Sequence, residues 1–214
     1  MPKSVDVPTE LKKFNSVFNM LSRKYDASQV FNDFLTIVIC CMCREQQETL
    51  YFETIKRYEK DELNQFAQLF GEIALIYHNA EILGKWCDPL GQFYEALASN
   101  YKKSSFGQFF TPKAICDLMS GFILEPNTFG KKVNEPACGS GRAVLSANNY
   151  APGNYYICQD LDPICCKMAA INLCFHEVRG EVHCMDTLRM SDPTQSYYIN
   201  YEFWKHKTKL IIMK

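Results

Sequence analysis

The stretch Asn134-Glu135-Pro136-Ala137-Cys138-Gly139-Ser140-Gly141-Arg142 joins a short β-like run to a helix-like run through two closely spaced glycines. Glycine has no Cβ and tolerates positive φ, so Gly139 and Gly141 permit a tight turn against a ligand that a larger residue would exclude. A nucleotide-like ligand can meet bare backbone there. Asp160 follows Gly139 at the roughly twenty-residue interval expected of a carboxylate that closes the next strand onto ribose hydroxyls. The plainer alternatives are a tight connection at the glycines and a helix-capping carboxylate at Asp160, a job for which Asp162 is better placed.

Around this stretch the pattern alternates between helix and strand. A helix starts at Thr111-Pro112, with Thr111 as its cap and Pro112 in its first turn. Strands are expected near Lys132–Glu135 and Tyr155–Gln159, with a helix from Gly141 between them. Asp162-Pro163 repeats the start signal before Ile164 to Phe175. Gly180 then breaks the chain ahead of a strand at Glu181–Met185, and a last strand falls at Lys209–Met213. These are β-α-β-α-β units with a parallel sheet.

Residues 10 to about 100 read as helices. Leu63, Phe66, Ala67, Phe70, Ile73, Ala74 and Tyr77 recur at three-to-four-residue spacing behind a cap at Asp61. A second helix covers about 28 to 58, with Phe31, Phe34, Leu35 and Val38 on one face, the stripe of a core-facing helix. The polar segment Tyr101-Lys102-Lys103-Ser104-Ser105 marks a boundary, dividing a helical domain at 1–105 from an α/β domain at 106–214. Its two lysines read as a solvated linker or as a basic contact to phosphate. No internal repeat or low-complexity segment is present.

Composition narrows the class. The 214 residues are 47% hydrophobic, ample for a packed core, and the formal charge of -1 gives no overall basic character. Any nucleic-acid contact must come from a local patch or a partner. The cysteine count of 11 is odd, no signal peptide precedes the thiols, and several sit in apolar runs such as Ile39-Cys40-Cys41-Met42-Cys43, so a reduced cytoplasmic protein is expected. Cys40 and Cys43 form a lone C-x-x-C with no second pair in register, which disfavours structural zinc. Cys165-Cys166 and Cys138 read as small core residues, with no base adjacent to make a nucleophile. The longest apolar run, Phe34 to Cys43, falls short of the roughly twenty residues needed to span a bilayer.

Four segments in order complete the reading: Gly107-Gln108-Phe109-Phe110-Thr111-Pro112, then Glu135-Pro136-Ala137-Cys138-Gly139-Ser140-Gly141, then Gln159-Asp160-Leu161-Asp162-Pro163, then Cys184-Met185-Asp186-Thr187-Leu188. Together they resemble the adenine-N6 DNA methyltransferases, most closely the modification subunits of type I restriction systems. Asp88-Pro89-Leu90-Gly91-Gln92-Phe93-Tyr94-Glu95 resembles the helix that precedes the first segment in that family. The resemblance covers roughly residues 86 to 190. It implies a helical N-terminal region followed by a partial Rossmann-like sheet that binds S-adenosylmethionine.

By that resemblance, the glycine-turn amides approach the cofactor's amino-acid portion, and Glu135 or a nearby carbonyl holds its ammonium. Asp160 accepts from the ribose hydroxyls and Asp186 from the adenine amine. Phe109 or Phe110 packs on the ligand, while Gln108 and Thr111 contact its carboxylate end. The family also carries an Asn/Asp-Pro-Pro-aromatic tetrapeptide that holds the flipped adenine. This chain has no Pro-Pro pair. Asp192-Pro193-Thr194-Gln195 is the nearest imitation, and Leu210-Ile211-Ile212-Met213 looks like the strand that leads into that loop. Three functions follow: an adenine-N6 DNA methyltransferase acting alone or with a partner specificity subunit, a non-catalytic cofactor-binding or assembly module, and a methyltransferase acting on protein amides. A homodimer or hetero-oligomer would cover the sheet edge at the last strand.

Overall fold

The computed structural model describes residues 7–44, 46–100, 110–202, 205 and 207–213. Helix α1 spans Lys12–Leu21, α2 Ala27–Met42, α3 Glu48–Ile55, α4 Lys60–Ile82 and α5 Pro89–Asn100. Asp26 caps α2 by accepting the N–H of Gln29 at 3.0 Å. The single helix expected over 28–58 is two, because Arg44 adopts φ 42° and turns the chain between α2 and α3. The cap of α4 is Glu59 rather than Asp61: Glu62 reaches back to the Glu59 N–H at 2.9 Å, in the manner of a capping box. Phe14, Phe18, Phe34 and Phe93 interlock at the centre, with the Phe14 and Phe93 rings 4.7 Å apart and nearly perpendicular.

Helix α6 spans Lys113–Ile123, α7 Arg142–Tyr150 and α8 Pro163–Phe175, interleaved with strands β1 (Lys132–Glu135), β2 (Tyr155–Asp160) and β3 (Arg179–Cys184). Pro112, not Thr111, sits at the N-cap of α6, and no side chain caps that helix. Asp162 caps α8 through the Ile164 N–H at 2.8 Å, with Pro163 opening the first turn. Gly180 lies inside β3 instead of before it. A Cβ there would stand 2.3 Å from the Tyr156 carbonyl oxygen, so the glycine lets β3 come up to β2.

Strands β1, β2 and β3 are parallel and adjacent. The all-parallel expectation fails beyond them. A strand β4 (Gln195–Ile199) that the sequence reading missed pairs antiparallel with β3, and β5 (Leu210–Met213) pairs antiparallel with β4. The reason is connection length: residues 185–194 hold no crossover helix, and a parallel return needs one. β1 and β5 are the sheet's two edges. Val133, Tyr156, Cys158, Val182, Tyr197, Ile199 and Leu210 share one face through this register, and α8 covers it, with α2 stacked on α8. Among the described residues, no helix is long and apolar enough to cross a membrane.

Candidate functional site: the glycine turn at the strand ends

Cys138 to Gly141 form a turn closed by the Gly141 N–H on the Cys138 carbonyl at 2.8 Å. Gly139 and Gly141 both lie in the left-handed region, at φ 52° and 92°. Their roles differ. A Cβ on Gly139 would meet the Phe110 ring at 2.8 Å, whereas one on Gly141 would stand 3.1 Å from Leu173 of α8. The first glycine admits an aromatic ring over the turn and the second lets α7 pack on α8.

The turn is held from the neighbouring strand ends. The Cys138 N–H donates to the Gln159 carbonyl at 2.8 Å, and the Gly139 N–H donates to Asp160 Oδ2 at 2.8 Å. Asp160 Oδ1 accepts the Asp162 N–H at 2.9 Å. A carboxylate has about four lone-pair sites, so Asp160 keeps acceptor capacity after both contacts. Asp186, just past β3, accepts the N–H groups of Leu188 and Arg189, each at 3.1 Å, which shapes its loop. Thr187 ties that loop to the turn by donating to the Pro136 carbonyl at 3.0 Å.

The remaining residues named from sequence fall around this centre. Glu135 ends β1, half-buried, and accepts the Ala137 N–H at 3.3 Å. Phe110 stacks on Tyr94 at 5.9 Å and donates its N–H to Glu95 at 3.2 Å, while Thr111 and Pro112 are exposed and lead into α6. Gln108 and Phe109 lie outside the described residues, as do Lys102 and Lys103. Buried Cys138 is held protonated: contact with the Cys158 thiol, then burial, pushes it well above the usual thiol range. Leu210–Met213 is the far edge strand, separated from β3 by β4.

Sequence reasoning missed two groups. Leu161 and Leu188 stand 70% and 98% exposed beside Asp160 and Asp186, apolar side chains in water at the strand ends. The other group lies behind the turn. Asp88 is buried and accepts from the Ser140 hydroxyl at 2.6 Å, Arg142 Nε at 2.6 Å, Asn172 Nδ2 at 2.8 Å and the Gly91 N–H at 2.8 Å. Burial pushes its pKa up against the pull of Arg142, but four donors and no acceptor are the surroundings of a carboxylate. Burial works against the Arg142 charge too, and Asp88 with Glu95 outweighs it, raising that pKa. The sequence signals were an arginine directly after the turn and an asparagine, Asn172, within the apolar run of α8.

A glycine turn between β1 and α7, with carboxylates at the ends of the next two strands, belongs to a Rossmann-like mixed α/β fold behind a helical N-terminal region. Residues 85–212 match the N-6 DNA Methylase family, more than half of the sequence, and the chain belongs to that family. A similar solved structure is the crystal structure of the type I restriction-modification system methyltransferase subunit from Streptococcus thermophilus, at 21% identity and a TM-score of 0.47. The match covers 83% of this chain and 44% of that one, so this chain spans less than half its length.

Proposed function

We propose that this chain binds S-adenosylmethionine at the glycine turn and is an adenine-N6 DNA methyltransferase-like protein of restriction-modification type. The observation that carries the reading is the Gly139–Asp160 contact at the strand ends, with Asp186 just past the end of β3. In this reading Asp160 offers its remaining lone pairs to the ribose hydroxyls, and the exposed Leu161 and Leu188 would flank a flat adenine ring beside Asp186. Phe110, Thr111 and Pro112 would border the amino-acid end, with Glu135, Pro136, Ala137, Ser140 and Gly141; Gln108 and Phe109, outside the described residues, join them by the family resemblance alone. The cofactor would supply an electrophilic methyl group.

Holding a flipped adenine requires acceptors for its amine and a stacking surface. The chain has no Pro-Pro pair to build the family's loop for this. In this reading a partner subunit takes part in target recognition, in a hetero-oligomer or a homodimer. The helical domain at 1–105 and cofactor domain at 106–214 act together in the cytoplasm in this reading. A second reading is a non-catalytic cofactor-binding or assembly module.

Calorimetric titration with S-adenosylmethionine and S-adenosylhomocysteine tests the first reading. Saturable binding is expected, and none at millimolar ligand would overturn it. Methyl transfer to adenine in duplex DNA by the purified chain alone would overturn the need for a partner.

A further inference from the structure

The buried cluster behind the turn is larger than a helix cap requires. Asp88 already caps α5 by accepting the Gly91 N–H, yet its second oxygen is given to the turn, through the Ser140 hydroxyl and Arg142. Asn172 bridges both sides: one amide donates to Asp88 and to the Ser140 carbonyl at 2.7 Å, and its oxygen accepts from Tyr77 of α4. Gly91 leaves the room for these contacts. A Cβ on Gly91 would lie 2.1 Å from Asp88 Oδ2 and 2.6 Å from the Ser140 hydroxyl oxygen. Glu95, one helical turn on, takes Arg142 Nη2 at 2.7 Å and the Phe110 N–H at 3.2 Å, and the Arg142 guanidinium lies 5.2 Å from the Phe110 ring.

We propose that Asp88 is a positioning residue for the cofactor turn, acting through Ser140, Arg142 and Asn172, so that the N-terminal helices set the geometry in which the turn meets its ligand. This rests on the reading that the turn binds S-adenosylmethionine. The physical reason is preorganisation. Pinning the Ser140 hydroxyl and carbonyl fixes the peptide between two left-handed glycines, the part of the chain with the most backbone freedom to lose. Asp88→Asn keeps the volume but turns one acceptor into a donor, so either the Ser140 hydroxyl and Arg142 Nε or the Gly91 N–H and the Asn172 amide, all of which donate in the native site, lose their acceptor.

The test uses the full chain, with S-adenosylhomocysteine as titrant and the Gly139 and Gly141 amide NMR signals of the ligand-free protein as a second readout. The control is Asp33→Asn, another buried carboxylate, bonded by Tyr58 at 2.7 Å within the helical region. Asp88→Asn is expected to lose at least tenfold in affinity and to move both glycine signals while still melting cooperatively. Asp33→Asn should lower the melting midpoint with affinity and signals unchanged. Wild-type affinity in Asp88→Asn, or an equal loss in Asp33→Asn, would overturn the proposal. If Asp88→Asn does not fold, Ser140→Ala, which removes only the hydroxyl bond, takes both measurements and should show a smaller loss and the same direction of shift. If the wild type binds no ligand, the cofactor reading falls, and unmoved glycine signals would separately overturn the bracing role.

Discussion

Asp160 Oδ2 accepts the Gly139 N–H at 2.8 Å, joining the end of β2 to the turn that follows β1. The contact holds the turn against the end of β2 and leaves the carboxylate beside the bare backbone. Asp160→Ala removes this bond and, in the proposed reading, the ribose acceptor. Cofactor affinity should fall by about 1.5–3 kcal/mol, the range for hydrogen bonds to charged groups. Titration calorimetry reads the change, and an unaltered affinity would exclude Asp160 from ribose binding.

Gly139→Ala meets two obstacles. The left-handed φ costs a residue with Cβ about 1–2 kcal/mol, and the new methyl would press on Phe110, 2.8 Å away. A lower urea midpoint is expected, with weaker cofactor binding. In a double-mutant cycle with Phe110→Ala, the coupling in the urea midpoint measures the contact part and the remainder measures the backbone part.

Stability should also fall on mild acidification. His176 Nε2 accepts the Cys87 N–H at 3.1 Å, and Nδ1 lies 2.9 Å from the Asn172 carbonyl, so the neutral ring with its proton on Nδ1 fits the site. Burial lowers its pKa from the ordinary 6.5, opposed by the Asn172 carbonyl and by Asp88. The unfolded chain therefore takes up the proton first. The contribution is complete above about pH 6.5 and is lost as pH falls from there towards the depressed folded value. Urea midpoints at pH 7.5 and 5.5 should differ in the wild type, and the difference should shrink in His176→Gln.

Gly180→Ala places a methyl 2.3 Å from the Tyr156 carbonyl oxygen, a backbone atom of the paired strand. Overpacking of this kind costs about 1–3 kcal/mol. A melting midpoint equal to the wild type would show that β3 can shift away from β2 at no cost.

Much of the α/β half was legible because its signals are local. Asp162-Pro163 marks the start of α8, and the glycine turn sits between β1 and α7 where its spacing placed it. The helical half was read less well at its joints. Arg44 in a left-handed conformation ends α2 with no glycine to announce it, and Glu59 took the cap from Asp61 because Glu62 could reach back to it.

What the sequence determined by itself was the order β1, turn, α7, β2, α8, β3 and the two carboxylates at the strand ends, since strand, turn and cap chemistry act over a few residues. Only the tertiary structure decided the direction of β4 and β5, which depends on a connection with no crossover helix, and the seating of Asp88 under Ser140 and Arg142. Those partners lie 52 and 54 residues along the chain, and burial alone brings them together. Once removed from water, the Arg142 guanidinium must find carboxylates, and the fold supplies them from a helix that no short-range pattern links to the turn.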